Sequence, residues 1–377
     1  MDKEFTLIKL YSQNNRLTIP LGVNYSCKVK LGFRNIRLTV LLLYFIIETL
    51  TNVILVIPGL LNEAQRIFIG DIALIAFAQN NIIGFCAQMF YKLSAAMMLM
   101  NFCMDENHWW LRDASEIFEK FQTRSLITKL QEISKKSQKI AFASTIFRSI
   151  LISLAWIMTF WWVTRKYPVY VWFSGILLCE MYAIFSPIVE TQFLIDLLTM
   201  CKICTSTFEE LNFSLRDLSQ NITLEIYLEK FNFACIFVNK IMFYIKRIFV
   251  LFYTINVVVM ILLIMLSFNK ENAMIIRIAV FSYAITEFTM IIFISKYIGE
   301  IDKAAKGSAE LIYTKYILSN NNLQQKTKWM IRKYFSICWG TTISLEILGQ
   351  PINPETSIKI TTIILTALAV ITKITKN

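Results

Sequence analysis

The sequence predicts an all-α integral membrane protein with seven transmembrane helices, its N-terminus cytoplasmic and its C-terminus extracellular. Three observations predict it. Of 377 residues, 56% are hydrophobic and only 17% charged, with a mean hydropathy of +0.54, whereas soluble domains are about 25% charged. The apolar residues fall in seven blocks, each near the roughly 20 residues that cross a ~30 Å hydrocarbon core. The lysines and arginines gather between those blocks, mostly on alternate sides.

Residues 1–35 hold no apolar core followed by a small-residue cleavage site, so no signal peptide is expected there. The spans then read as 36–60, 71–100, 139–163, 169–200, 243–268, 273–298 and 355–375. Each must be helical, because a lone strand would leave backbone N–H and C=O groups unsatisfied in lipid. With the N-terminus inside, the inner segments hold 28 of the 38 Lys and Arg: seven up to Arg37, seven from Arg112 to Lys139, six from Lys202 to Arg247 and eight from Lys296 to Lys333. The net charge of +12 is thus a topology signal. A nucleic-acid partner would need a soluble basic face with base-reading groups, and none is expected; the surrounding partner is membrane lipid.

Outer connections (164–168, 269–272) are short, while inner ones span 102–138, 201–242 and 299–354. In FEELNFSLRDL, Phe208, Leu211, Leu215 and Leu218 recur at three and four residues, an amphipathic stripe. Further on, Trp329, Ile331, Phe335 and Trp339 are read the same way. Such stripes bury against something, so a packed helical base is expected beneath the membrane.

The last block, TTIILTALAVITKITKN, is unusual. At 100° per residue, Lys359, Thr362, Thr366, Ala369, Val370 and Lys373 fall within a sector of about 100°, opposite Ile364, Leu368 and Ile371. A polar stripe on an oily helix faces protein or water rather than lipid. A second reading has the threonines bonding back to helix carbonyls and the lysines snorkelling to each interface.

The inverted seven-span plan, the ELNFSL stretch after the fourth span, and the amphipathic helix leading to a short final span resemble the insect gustatory receptors, relatives of the insect odorant receptors. That family's signature in the last helix is Thr-Tyr, five hydrophobic residues, then Gln-Phe. Here the stretch is TALAVITKI, residues 366–374: Thr366 matches, while Ala367, Lys373 and Ile374 replace Tyr, Gln and Phe. The resemblance implies a chemosensory, ligand-gated, non-selective cation channel in the cell membrane, assembled as a homo- or heterotetramer. It implies a cytoplasmic segment 1–35, a sensing bundle 36–298, a subunit-joining base 299–354, and a pore helix with a short tail, 355–377. On that plan the stripe from Lys359 to Lys373 lines the pore. Lys373 departs from the pattern in a way that matters, because a ring of ammonium groups opposes cations. The lysines either snorkel outward, sit in a mixed assembly, or belong to a relative that conducts little. A G-protein-coupled receptor has the opposite orientation, and its acidic-Arg-aromatic triplet is missing after the third span, which ends WWVTRKYP. A transporter using membrane-depth carboxylates is the further alternative.

Ionisable groups at membrane depth are rare and usually functional. Arg148 and Glu190 lie near the inner ends of adjacent spans and are expected to form a structural ion pair. Glu48, Glu180 and Glu287 lie nearer the middle. No nucleophile or metal constellation accompanies them, so no enzyme, metal or cofactor is expected. A pocket for a small-molecule ligand is expected among the outer halves of spans two to six, lined by Gln79, Asn80, Asn81, Trp156, Glu180, Tyr283 and Glu287; an interfacial aromatic belt competes for the tryptophans. Cys201 and Cys204 form a C-x-x-C pair without a second pair, and read as ordinary reduced thiols.

Overall fold

The computed structural model describes residues 31–57, 59–71, 81–104, 167–216, 224–270, 272, 274–314, 325–340, 346–347 and 350–374, with scattered positions between 132 and 153. Eight helices are defined among them: α1 Leu31–Val56, α2 Glu63–Phe68, α3 Asn81–Met104, α4 Val169–Arg216, α5 Leu224–Phe268, α6 Met274–Ile312, α7 Gln325–Gly340 and α8 Pro354–Ile374. The fold is all-α, with one small addition. Just before α8, Glu346–Ile347 (β1) and Gln350–Pro351 (β2) pair antiparallel, Glu346 opposite Pro351 and Ile347 opposite Gln350.

The helices outrun a bilayer. α4 has 48 residues, α5 45 and α6 39, so at 1.5 Å per residue they reach roughly 60–70 Å. Of the stretches expected to continue as helix beyond the spans, 201–216 runs on within α4, 224–242 lies within α5, and the first part of 299–354 continues α6 as far as Ile312. There they pack a dry base. Phe208, Tyr227, Phe231, Cys201, Cys204, Ile298 and Ile301 are fully buried, Phe208 and Phe231 tilt together at 6.0 Å, and Phe231 stacks on Tyr227. Lys202 bonds Glu300 at 2.7 Å at the edge of this base, and its ammonium lies over the Tyr297 ring.

The expected stripe on α7 is corrected by the structure. Ile331 is buried and Phe335 half-buried, but Trp329 is 62% exposed, with the Lys333 ammonium over its ring. Positions 331 and 335 are one turn apart and share a face, whereas 329 and 331 are about 200° apart. No single face could have buried all three.

Above the base, α3 packs against α1 and α5, and α6 against α4 and α5. The outward surface stays apolar: Val40, Leu43, Ile47, Leu50 and Ile54 on α1, Phe173 and Leu177 on α4, and Phe281 and Ile285 on α6 are all exposed. An apolar exterior around buried charge inverts the soluble pattern and suits a lipid solvent. Among the described residues, α6 (Met274–Ile312) is the one helix that alone meets both length and apolarity for crossing a membrane; Leu42–Leu55, Ile82–Met98, Val169–Leu178 and Phe252–Phe268 are shorter apolar stretches. Most of the expected third span lies outside the described residues.

Local chemistry fixes the connections. Asn62 caps α2 in a reciprocal box with Gln65, and Arg66 holds the buried Asp71 at 2.7 Å. Gly59 and Gly70 supply the positive φ of the turns on either side. Between α5 and α6, the Asn272 amide donates to the Leu266 carbonyl and Arg277 Nε to the Ser267 carbonyl, satisfying the orphan carbonyls at the end of α5. α8 starts on Asn353, whose side-chain oxygen accepts from the Thr356 N–H, with Pro354 in the first turn and Glu355 behind it. That order is what a helix N-terminus favours.

Candidate functional site

Inside the apolar bundle, polar groups converge on one short stretch of α3. Lys92 pairs with Glu48 of α1, and both are buried. A charge taken from water is tolerated at such depth only with a partner. The neighbouring Tyr91 turns the other way. Its hydroxyl donates to Glu190 Oε2 of α4 at 3.3 Å, and its ring meets Tyr283 of α6 edge-on at 5.7 Å between centroids. Glu287 sits one turn beyond Tyr283 on the same helix and is 1% exposed.

One turn toward the N-terminal end of α3 and α4, Gln88 and Ser186 extend this layer. The Gln88 amide atoms and the Ser186 hydroxyl are buried and make no hydrogen bond. Leaving such groups unmade is costly, so α3 and α4 hold unspent hydrogen-bonding capacity in this layer. Tyr44 closes a flank, donating to the Leu178 carbonyl at 3.3 Å and meeting Phe185 edge-on. A small molecule with an apolar body and one or two polar groups matches these surroundings.

The expected ligand residues divide accordingly. Tyr283 meets Tyr91, which bonds Glu190, and Glu287 is buried one turn along α6 from Tyr283. Gln79, Asn80 and Trp156 lie outside the described residues, as do the side chains of Asn81, which begins α3, and Glu180, in α4. Arg148 also lies outside them, so the Arg148–Glu190 pair goes undescribed, and Tyr91 is the bonded partner seen at Glu190. Tyr91 and Lys92 were not singled out in the sequence. Lys92 carried a usable signal, since it is a lysine in the middle of an apolar block.

Outside the apolar spans, burial alters the acidity of three groups. Burial pushes the Cys201 thiol up to about 12 and the Cys204 thiol well above its ordinary value. Partial burial, then a hydrogen bond to Glu63, raise Tyr167 to about 12. Among the described residues, no three His, Cys, Asp or Glu side chains gather as metal ligands.

On α8 the described part of the polar stripe is exposed, along with Ile358 and Ile363. Lys359, Thr362 and Thr366 are exposed, whereas Ser357 and Thr361 face inward. Lys359 pairs with Glu355 one turn back at 2.7 Å. Thr362 and Thr366 each donate to the carbonyl four residues earlier at 2.8 Å. Back-bonding spends the hydroxyl hydrogen but leaves oxygen lone pairs facing outward. The side chains of Ala369, Val370 and Lys373 lie outside the described residues.

No protein-family model and no curated protein matches this sequence. Among solved structures, the chain is similar to the insect olfactory receptor OR5 from Machilis hrabei, with a TM-score of 0.64 at 11% identity, over 97% of this chain and 98% of that one. At that identity the likeness speaks to architecture, and it runs from one end of the chain to the other. The protein has the fold of an insect olfactory receptor.

Proposed function

We propose that this chain is a subunit of a chemosensory, gustatory-type channel that a small molecule opens to cations. In this reading it crosses the cell membrane seven times with its N-terminus inside, and four subunits meet through the base and α8. The observation that carries the reading is the outward polar stripe of α8, on a chain whose whole length shares the olfactory-receptor fold. A polar stripe turned from its own bundle is best accommodated by a wet or protein surface, and a shared axis would provide one. The ligand would meet the layer of Tyr91, Glu190, Tyr283 and Glu287, an enclosed site with aromatic walls and few polar anchors. No catalytic role and no cofactor is proposed.

Lys373 favours a second reading, a relative of the same architecture that conducts poorly. Imaging the purified protein by electron microscopy in nanodiscs tests the first. A fourfold particle with α8 on its axis is expected; a monomer would remove the shared pore and sink the channel reading. Recording currents from wild type and Lys373→Gln then separates the two: a several-fold gain in cation current on substitution identifies the lysine ring as the barrier.

A further inference from the structure

At the start of α8, hydroxyl groups of three helices gather. Ser295 of α6 and Ser357 of α8 lie 2.7 Å apart, oxygen to oxygen, and both are buried. Ser295 has a single hydroxyl hydrogen, and it is already donated to the Ile291 carbonyl, oxygen to oxygen 2.7 Å. Ser357 must therefore be the donor and Ser295 the acceptor. One turn along α6 is Gly299, where an added Cβ would stand 3.3 Å from the Asn353 Cβ and 3.6 Å from the Ile352 carbonyl oxygen. Ser295 and Gly299 form a small-xxx-small step, which lets helix backbones approach closely inside a membrane. The foot of α8 is thus held at short range by one directional bond on a smooth surface.

Beside that bond lie two hydroxyls with nothing to do. The Tyr253 hydroxyl of α5 is near enough to Ser357 and Thr361 of α8 to interact with both, but neither Tyr253 nor Thr361 reaches hydrogen-bond geometry. Both are 3% exposed. A junction with one closed pair and two buried, unclosed donors is under-satisfied in its present position. A small shift of α8 toward α5 would pair Tyr253 with Ser357 or Thr361 as the Ser295 bond breaks. Two arrangements of similar hydrogen-bonding content, separated by a small displacement, make a bistable element.

We propose that the Ser295–Ser357 bond latches α8 against α6 in the resting state and that Tyr253 on α5, with Ser357 and Thr361, is the pairing that replaces it when α8 moves. The proposal rests on the channel reading for its consequence, but the latch itself can be measured without current.

The first measurement is thermal unfolding of the full chain in detergent for Ser295→Ala, Ser357→Ala and the double variant. Each single change is expected to lower the midpoint, and the double change to lower it no further than the worse single one. Additive losses would show that the two hydroxyls do not act as a pair, and the latch would fall whatever the currents do. The second measurement is the ligand-free sodium current in oocytes at matched surface expression. Ser295→Ala is expected to raise it several-fold, and Tyr253→Phe, added to it, to bring it back toward wild type. Currents that are present but equal in wild type and Ser295→Ala would overturn the gating role and leave the channel reading standing. Non-additive unfolding with no current in any variant would overturn the channel reading and the gating role with it, leaving a packing bond.

Discussion

The Lys92 ammonium and the Glu48 carboxylate meet inside the bundle, both buried, joining α3 to α1. A pair so enclosed is best read through what happens when it is broken. Lys92→Met leaves a bare buried carboxylate and should cost about 3–5 kcal/mol, while replacing both partners with apolar residues should cost far less. Unfolding of the single and double variants in detergent measures this, and a double variant as damaged as Lys92→Met would show that the charges do not act as a pair.

Tyr91 carries two contacts that can be separated. Tyr91→Phe keeps the ring against Tyr283 and removes the hydroxyl at Glu190, so it should cost about 1–3 kcal/mol for a buried acceptor left short. Tyr91→Ala also removes the ring, and aromatic truncations in packed cores cost about 3–5 kcal/mol. The same unfolding assay should rank the two in that order. Equal losses would mean that the hydroxyl carries the whole effect.

Gly175 on α4 touches the end of α2. A Cβ there would stand 2.2 Å from the Ile67 carbonyl oxygen, closer than any real contact, and the obstacle is backbone rather than a side chain that could swing aside. Gly175→Ala should therefore push the short α2 off α4. Proteolysis of the 57–71 connection, faster in Gly175→Ala than in wild type, is the check. An unchanged cleavage rate would place the two helices further apart than described.

Cys201 and Cys204 are free thiols within the dry base. Because burial raises Cys201 from its ordinary 9.0 to about 12, folding favours the protonated form. Its contribution to stability is complete below pH 9.0 and is lost as pH climbs toward about 12. At neutral pH both thiols should resist a maleimide in the native protein and react after denaturation. Native labelling as fast as that of a free thiol would show that the base opens.

The sequence by itself determined the class of the fold. Blocks such as 243–268 and 273–298 could only be helices, since backbone polar groups in oil must be satisfied within the segment, and the periodic Phe208 and Leu211 announced a packed continuation of α4. The last span was read from residue 355, and it was the structure that showed Asn353 and Pro354 opening α8. Periodicity on one helix, however, says which residues share a face and nothing about what that face meets. Trp329 shows the limit, because its stripe was assembled from positions that no single face contains. Glu190 shows it again: its bonded partner Tyr91 lies 99 residues away in sequence, and no local spacing encodes that distance. Lys92 was legible as a membrane-depth charge, but its choice of Glu48 over the other carboxylates was decided by how α1 and α3 pack. Tertiary structure alone placed Ser295 against Ser357 and left Tyr253 waiting beside them. Hydrogen bonds between helices depend on rotation and register to within an ångström or so, and these are set by the packing of the whole bundle rather than by any one segment.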